Sequence, residues 1–228
     1  MAEPGKARAA RQPTRRRILV VDDHPVVRDG LAAEVATEPD LVVSSATGDP
    51  AEALTLIASQ QPDLAVVDIS LAKRSGLDLI RQIRAQGHTV KILVWSMHPE
   101  SLYAERALRA GAQGYIEKSC GPEEVLGAIR SVLAGKVYAS SAITERVLKR
   151  LGSGPRRDER SGVETLSDRE LHAFELMGAG LSTVEIARRM CLSVKTVETY
   201  RARIKGKLGL ATFPEVIQHA TAWLLEQR

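Results

Sequence analysis

The sequence is poor in cysteine and has no long apolar segment, and each absence excludes a class of protein. Its 228 residues include only two cysteines, Cys120 and Cys191, which lie far apart. This spacing argues against a disulfide framework and a paired zinc-ligand motif. No apolar run approaches the ~18 residues of a membrane-spanning helix, and the arginine-rich N-terminus lacks the ~7-residue apolar stretch of a signal peptide. We therefore expect a soluble, cytoplasmic protein.

Charge is distributed unevenly along the chain, although the whole chain carries a net charge of only +4. Residues 1–17 have a net charge of +5, residues 18–138 of −5, and residues 139–228 of +4. Local charge decides attraction to phosphate-rich surfaces, so an acidic segment followed by a basic one predicts two domains with different partners. The basic C-terminal segment favours nucleic acid as its partner.

Two segments without hydrophobic periodicity set the domain boundaries. Residues 1–15 combine proline, glycine and scattered arginine, which predicts a disordered basic tail. A second stretch, ending at residue 162, mixes glycine and proline with charge and is typical of a linker. The predicted organisation is a tail at 1–15, a first domain at 16–138, a helix and flexible linker at 139–162, and a second domain at 163–228.

The first domain alternates apolar runs with helical periods. Five short apolar runs begin at residues 18, 41, 64, 92 and 114, and a helical period follows each one. Strands that alternate with helices run parallel, and continuous apolarity indicates that both faces of the sheet are covered. The prediction is an α/β doubly wound, five-stranded parallel sheet whose ligands bind beyond the carboxyl ends of the strands.

Polar residues follow four of these five strands. Asp22 and Asp23 follow the first strand, Asp68 the third, Ser96 the fourth and Lys118 the fifth. Three carboxylates in one crevice repel each other by roughly 1–4 kcal/mol per pair unless a cation compensates, and such oxygen ligands suit Mg²⁺. A carboxylate beside the ion could attack a phosphoryl group while lysine and serine hold the transferred oxygens. The pattern therefore predicts an acyl-phosphate site.

Residues 16–138 resemble the receiver domain of bacterial two-component response regulators, which has a flavodoxin-like fold. The motifs that carry the resemblance are residues 18–25 (ILVVDDHP), 63–70 (DLAVVDIS), 93–98 (LVWSMH) and 111–118 (GAQGYIEK). The resemblance implies that Asp68 accepts a phosphoryl group from the phosphohistidine of a sensor histidine kinase.

The same resemblance implies roles for the surrounding residues. Asp23, Asp68 and the carbonyl group of Ser70 would hold Mg²⁺, and Asp22 would act through a metal-bound water. The switch and phosphoryl contacts would be Ser96, Tyr115 and Lys118. In the family, the hydroxyl residue moves toward the new phosphoryl group and the aromatic residue rotates inward, which remodels the surface near the fourth helix and fifth strand.

The loops around the site depart from the family pattern in two places. Ala72 and Ser119 stand where prolines are usual, so both loops lose a fixed φ and we expect a changed lifetime of the phosphorylated state. His24 and His98 flank the site, and either could be a general base for dephosphorylation. A single loop histidine is more often solvent-facing, which is the expectation for both.

The second domain has the pattern of a helix-turn-helix. Residues 167–170 and 182–185 both fit a capping box, which predicts helices that begin at 168 and 183. A third helix should run from 194 to about 208. Its predicted core face carries Val194, Val197, Ile204 and Leu208.

The opposite face of this third helix is the predicted DNA-reading surface. Residues 188–207 carry a net charge of +6, which favours phosphate contacts. A capped short helix, a tight turn and a basic helix follow one another in the order that major-groove docking requires. We expect the stem of Arg201 to pack and its head to reach a phosphate. The residues predicted to contact DNA are Lys195, Thr196, Glu198, Thr199, Arg201, Ala202, Arg203 and Lys205.

Residues 163–228 resemble the LuxR-type DNA-binding domain. The motifs are residues 166–170 (LSDRE), 180–187 (GLSTVEIA), 192–200 (LSVKTVETY) and 204–210 (IKGKLGL). A receiver joined to this domain is the layout of the NarL/FixJ family. The resemblance also implies that the final helix, from residue 214 to about 226, forms a dimerisation surface with Val216, Ala220 and Trp223. Core packing is the alternative role for Trp223.

The leading hypothesis is a DNA-binding transcription regulator, not an enzyme, that is activated by phosphorylation of Asp68. Its implied partners are a sensor histidine kinase, double-stranded promoter DNA and a second copy of the chain, and its implied cofactor is Mg²⁺. One alternative is a phosphate-independent DNA-binding regulator with a degenerate receiver. Another alternative is a stand-alone aspartyl-phosphate phosphatase or transferase. Such an enzyme would be expected to carry a partner acid two residues after Asp68, but this sequence has Ser70 there.

Overall fold

A computed structural model describes residues 15–71, 75–145 and 162–226. The predictions made for the N-terminal tail, for the loop at Ala72 and for most of the linker fall outside these ranges. Among the described helices, none is both long enough and apolar enough to cross a membrane.

The first domain contains five strands and five helices in strict alternation. The strands are β1 (Arg16–Val21), β2 (Leu41–Thr47), β3 (Leu64–Val67), β4 (Lys91–Ser96) and β5 (Gly114–Glu117). The helices are α1 (Pro25–Ala36), α2 (Pro50–Gln60), α3 (Gly76–Ala85), α4 (Glu100–Ala110) and α5 (Pro122–Leu133). The predicted α/β class is confirmed.

The strands form one parallel sheet with the order β2-β1-β3-β4-β5. In the centre, Ile18 lies opposite Leu64 and Val21 lies opposite Val67. The strand order reverses direction between β1 and β3, and this is where doubly wound sheets open a crevice at the carboxyl ends of their strands. The predicted five-stranded parallel sheet is therefore confirmed.

The inner strands of the sheet, such as β1 and β3, are buried on both faces, which explains their continuous apolar runs. Leu19 and Val21 of β1 belong to the core on the side of α2, α3 and α4. Ile18 and Val20 belong to the core on the side of α1 and α5. Because alternate residues of a strand point to opposite faces, a strand covered on both sides has no polar positions.

The second domain is helical. A 3-10 turn (Gly162–Thr165) is followed by α6 (Asp168–Gly178), α7 (Thr183–Arg189), α8 (Val194–Lys207) and α9 (Phe213–Glu226). Both predicted capping boxes are present, at Ser167 and at Ser182, and both helices begin at the predicted residues. In each box the serine and the glutamate satisfy the amides that the first helical turn leaves free.

Helix α8 buries only part of its predicted core face. Val197 and Ile204 are fully buried, and Leu208 is half-buried. Val194 is 41% exposed, so its assignment to the core is wrong. It is the first residue of the helix, one turn ahead of the point where Val197 reaches the core.

Helix α9 packs closely on α6, which changes the interpretation of its apolar residues. A Cβ atom on Gly178 would lie 2.6 Å from the carbonyl oxygen of Ala220, so only glycine fits there. Val216 and Ala220 are fully buried. The structure therefore contradicts their assignment to a dimerisation surface, because their side chains are already used inside the domain. Trp223 is half-buried, with its ring 5.5 Å from that of Phe174.

The second domain is docked on the first through α6. Arg106 donates hydrogen bonds to the carbonyl oxygen of Leu166 at 2.8 Å and to Oδ1 of Asp168 at 2.9 Å. Arg81 donates to the other carboxylate oxygen of Asp168 at 2.5 Å. The apolar core on the α2–α4 side of the sheet continues into the second domain, where Leu171 and Phe174 belong to the same cluster.

We predict that Gly76→Ala strongly destabilises the first domain. A Cβ atom at this position would lie 1.9 Å from the carbonyl oxygen of Asp68, and backbone atoms cannot yield as a flexible side chain does. We expect the free energy of unfolding in urea to fall by more than about 2 kcal/mol. Gly127→Ala is the matched control because its added methyl group meets no atom within 4 Å, and it should not destabilise. Equal stability of the two variants would contradict this packing.

Candidate functional site

Three carboxylates meet at the carboxyl end of the sheet. Asp22 and Asp23 follow β1, and Asp68 follows β3, which is the neighbouring parallel strand. The carboxylate groups of Asp22 and Asp68 are 2% and 3% exposed. These three residues and His24 offer ligand atoms that all lie within 4.8 Å of one another. The structure thus assembles the acidic cluster expected from the sequence.

One lysine is shared by two of these carboxylates. The Nζ atom of Lys118 lies 2.5 Å from Oδ2 of Asp22 and 3.0 Å from Oδ2 of Asp68. It also lies 5.7 Å from the centre of the Trp95 ring. One ammonium group cannot neutralise three carboxylates, so ionised carboxylates leave the cluster with an excess of negative charge.

Two carboxylate oxygens of the cluster are poorly satisfied. Among the described residues, Oδ1 of Asp68 is buried without a hydrogen-bond donor, and Oδ1 of Asp23 has only Nδ1 of His24 near it, at 2.8 Å. Burial raises the pKa of Asp23, and Asp22 and Asp68 raise it further while His24 opposes them. Buried, unpaired carboxylate oxygens are costly unless a cation is present. The donor set therefore fits a divalent cation with oxygen ligands.

The residues predicted to form the switch lie directly beside the cluster. Ser96 is the last residue of β4 and is fully buried. Tyr115 in β5 is 1% exposed, and its hydroxyl donates a hydrogen bond of 2.7 Å to the carbonyl oxygen of His98. Burial raises the pKa of Tyr115 well above its usual value. The aromatic ring is therefore held in a buried position against the loop that follows β4.

His98 is not the solvent-facing residue that the sequence suggested. Its side chain is 14% exposed and lies between the domains, with Nδ1 3.2 Å from Oε2 of Glu175 in α6. Tyr103 donates a hydrogen bond of 3.0 Å to the same oxygen. Burial raises the pKa of Tyr103 well above its usual value, and the charge of Glu175 adds to this effect. For His24, which is 64% exposed, the expectation of a solvent-facing histidine holds.

A cavity of about 370 Å³ connects the acidic cluster with the second domain. Asp23 and Ser70 line it from the first domain, and Arg169, His172 and Arg189 line it from the second. Burial, together with the neighbouring His98, Arg169 and Arg189, lowers the pKa of His172 to about 4. Sequence reasoning missed these second-domain residues because nothing in the local pattern indicates which face of α6 meets the first domain.

The predicted DNA-reading residues occupy α8 and differ in exposure. Lys195, Glu198, Thr199, Ala202 and Arg203 are exposed, and Thr196, Arg201 and Lys205 are half-buried. The guanidinium group of Arg201 lies 3.2 Å from the centre of the Phe213 ring and donates a hydrogen bond of 2.6 Å to Thr183. Its stem and head are therefore both engaged within the domain, at the N-terminus of α7.

Two family models match the chain. Residues 18–130 match the response regulator receiver domain, and residues 164–220 match the bacterial regulatory proteins of the luxR family. The chain is 34% identical over 204 residues to the virulence-factor transcription regulator BvgA of Bordetella pertussis, which covers 90% of this chain and 96% of BvgA. It is 33% identical over 208 residues to the oxygen regulatory protein NreC of Staphylococcus aureus, with the same coverage.

Solved structures show the same architecture. A LuxR-family two-component response regulator from Aurantimonas sp. aligns with a TM-score of 0.55 and 34% identity, over 61% of this chain and 99% of that one. RcsB of Salmonella enterica serovar Typhimurium, bound to promoter DNA, aligns with a TM-score of 0.60 over 91% of this chain and 99% of RcsB. At 19% identity, RcsB supports the fold alone. The chain belongs to the NarL/FixJ family of response regulators, which join a receiver domain to a LuxR-type DNA-binding domain.

Proposed function

We propose that this regulator is activated by phosphoryl transfer from a sensor histidine kinase to Asp68 and then binds promoter DNA as a homodimer. The observation that carries the proposal is the carboxylate of Asp68, which is buried with one oxygen unpartnered and the other 3.0 Å from Lys118. Such a regulator requires a domain with a reactive carboxylate beside a cation. That domain must be joined to a second domain with an exposed basic helix.

In the transfer step, an oxygen of Asp68 attacks the phosphorus atom of the phosphohistidine. The new O–P bond forms as the P–N bond breaks, and the histidine nitrogen leaves. Lys118 is placed to hold a transferred oxygen, since its Nζ atom already contacts Asp68. Asp22, Asp23, Asp68 and the carbonyl group of Ser70 would hold Mg²⁺, which when bound offsets the charge of the carboxylates and of the phosphoryl oxygens.

The DNA contacts are proposed for the exposed face of α8. Lys195 and Arg203 are the cations for phosphates, and Glu198, Thr199 and Ala202 face the base edges. Thr196 and Lys205 flank this face. Arg201 would reach a phosphate from the N-terminus of α7, where its head is now bonded to Thr183. We propose a cytoplasmic location, because promoter DNA and the phosphohistidine of the kinase would both be reached there.

The docked arrangement suggests how phosphorylation controls DNA binding. Docking leaves the reading face of α8 exposed, so covering that face is not the means of control. Instead, Trp223 of α9 lines an interdomain cleft of about 750 Å³ together with Arg106 and Arg109 of the receiver. We propose that undocking frees the side of α9 that carries Trp223 for a second copy of the chain.

We predict that incubation with Mg²⁺ and a small phosphodonor adds one phosphoryl group to the parent protein and none to Asp68→Asn. Intact-mass analysis checks this, and an electrophoretic mobility shift measures the accompanying gain in DNA affinity. An unmodified parent that binds promoter DNA tightly would establish the phosphate-independent regulator instead. The altered loop sequence after the phosphoacceptor, with Ala72 in place of the usual proline, is the feature in favour of that second candidate. Repeated turnover of the donor would indicate an enzyme.

We predict that DNA binding depends strongly on salt. If each subunit of a dimer contacts about three phosphates, the slope of log K against log salt concentration should be near −5. Arg203→Ala removes one cation per subunit and should make the slope less steep by about 2. Lys136→Ala removes the same charge from an exposed position in the receiver and should leave the slope unchanged. A slope near zero for the parent would contradict the DNA assignment.

A further inference from the structure

We propose that His98 is the positioning residue that couples the phosphorylation site to the docked LuxR-type domain. The inference rests on the proposed function, because it names the contact through which a change at Asp68 reaches the second domain. His98 lies in the loop between β4 and α4, two residues after Ser96. Its side chain contacts the loop after β3 and helix α6, and its backbone contacts β4 and β5.

The imidazole ring bridges the phosphorylation loop and the second domain. Its Nε2 atom lies 2.9 Å from the hydroxyl oxygen of Ser70, two residues after Asp68. Its Nδ1 atom lies 3.2 Å from Oε2 of Glu175 in α6. One neutral tautomer serves both contacts, because a hydrogen on Nδ1 points to the carboxylate while Nε2 accepts the hydrogen of the Ser70 hydroxyl. The ring is thus fixed from both sides.

The backbone of the same residue is held by both predicted switch residues. The amide of His98 donates a long hydrogen bond of 3.4 Å to the hydroxyl oxygen of Ser96. The carbonyl oxygen of His98 accepts the 2.7 Å hydrogen bond from Tyr115. A hydroxyl group that turns toward a phosphoryl group on Asp68 therefore gives up its contact with the amide of His98. The loop then moves, and the ring loses its alignment with Glu175.

Aromatic packing makes the ring sensitive to such a movement. The His98 ring centre lies 4.4 Å from that of Tyr103 and 5.4 Å from that of His172. Tyr103 also donates to Glu175, so the tyrosine and the histidine share one carboxylate oxygen. A shift of the loop would disturb both contacts to Oε2 of Glu175. Because this oxygen is largely buried, an imperfect hydrogen bond to it is costly.

The interdomain ion pairs near the start of α6 involve helices of the receiver. Arg106 and Arg81, on α4 and α3, both contact Asp168. Arg169 lies 3.6 Å from Asp78, also on α3. These pairs contribute to docking, but they connect helices rather than the loops that surround the acidic cluster. His98 joins those loops to α6.

The experiment measures docking of the full chain by the distance between spin labels on the two native cysteines. Cys120 is in the receiver and Cys191 is in the LuxR-type domain, so the pair reports the domain arrangement. Without phosphodonor, the parent should give one narrow distance distribution. His98→Ala and Glu175→Ala should each increase the undocked fraction about tenfold, since each removes a contact to a charged group. The double variant should show no further increase.

Beryllofluoride, a phosphoryl mimic, separates coupling from folding. On addition of beryllofluoride, the distance distribution of the parent should broaden. The distribution of His98→Ala should already be broad and should not change. In a separate assay, Asp68 of this variant should still accept one phosphoryl group from a small donor. A merely structural role would impair both properties. His88→Ala, a change of the same residue type in the loop before β4, should behave as the parent. If His98→Ala fails to fold, Glu175→Ala in the other domain decides the question.

Two results would overturn the inference. One is a His98→Ala distribution as narrow as that of the parent without beryllofluoride. The other is a broad His98→Ala distribution with a narrow Glu175→Ala distribution, which would mean that the ring does not act through Glu175. Failure of the proposed function is distinguishable, because it would appear as a parent that does not respond to beryllofluoride.

Discussion

Repulsion among the carboxylates at the end of the parallel sheet is the interaction on which the rest of this structure depends. At about 4 Å, two ionised carboxylates at a protein surface repel by roughly 4 kcal/mol. The cluster holds three carboxyl groups, and the Nζ atom of Lys118 contacts two of them, Asp22 and Asp68. Oxygen ligands grouped in this way favour a bound cation. In the proposed phosphorylation, the conversion of the Asp68 carboxylate into an acyl phosphate would change both the amount and the position of this negative charge.

The second domain is placed where it can sense that change. Its helix α6 docks beside the phosphorylation loop, and Glu175 lies within 3.2 Å of a histidine whose backbone contacts both Ser96 and Tyr115. Docking leaves the reading face of α8 open and places Trp223 at the interdomain cleft. Under our proposal, the receiver controls the availability of α9 to a second copy, and the spacing of two reading helices on DNA would follow from the dimer.

The sequence predicts the parts of the molecule that local patterns determine. Strand and helix periods indicate the sheet, and the capping boxes indicate the starts of α6 and α7. The acidic cluster is predictable because parallel strands end at one edge. Contacts between distant segments cannot be predicted in this way. The burial of His98 depends on how α6 docks on the receiver. Val216 is buried because Gly178 lets α9 approach α6 closely. A period of apolar residues does not tell core packing from a dimer surface.

The most direct test of the account is amide hydrogen exchange of the full chain with and without beryllofluoride. The account predicts faster exchange on addition of the mimic at the start of α6 and in the loop between β4 and α4, where the domains meet. The central strands of the sheet should stay protected, and Asp68→Asn should show no change. Unaltered exchange at the interface in a parent protein that has bound the mimic would contradict the claim that phosphorylation releases the LuxR-type domain.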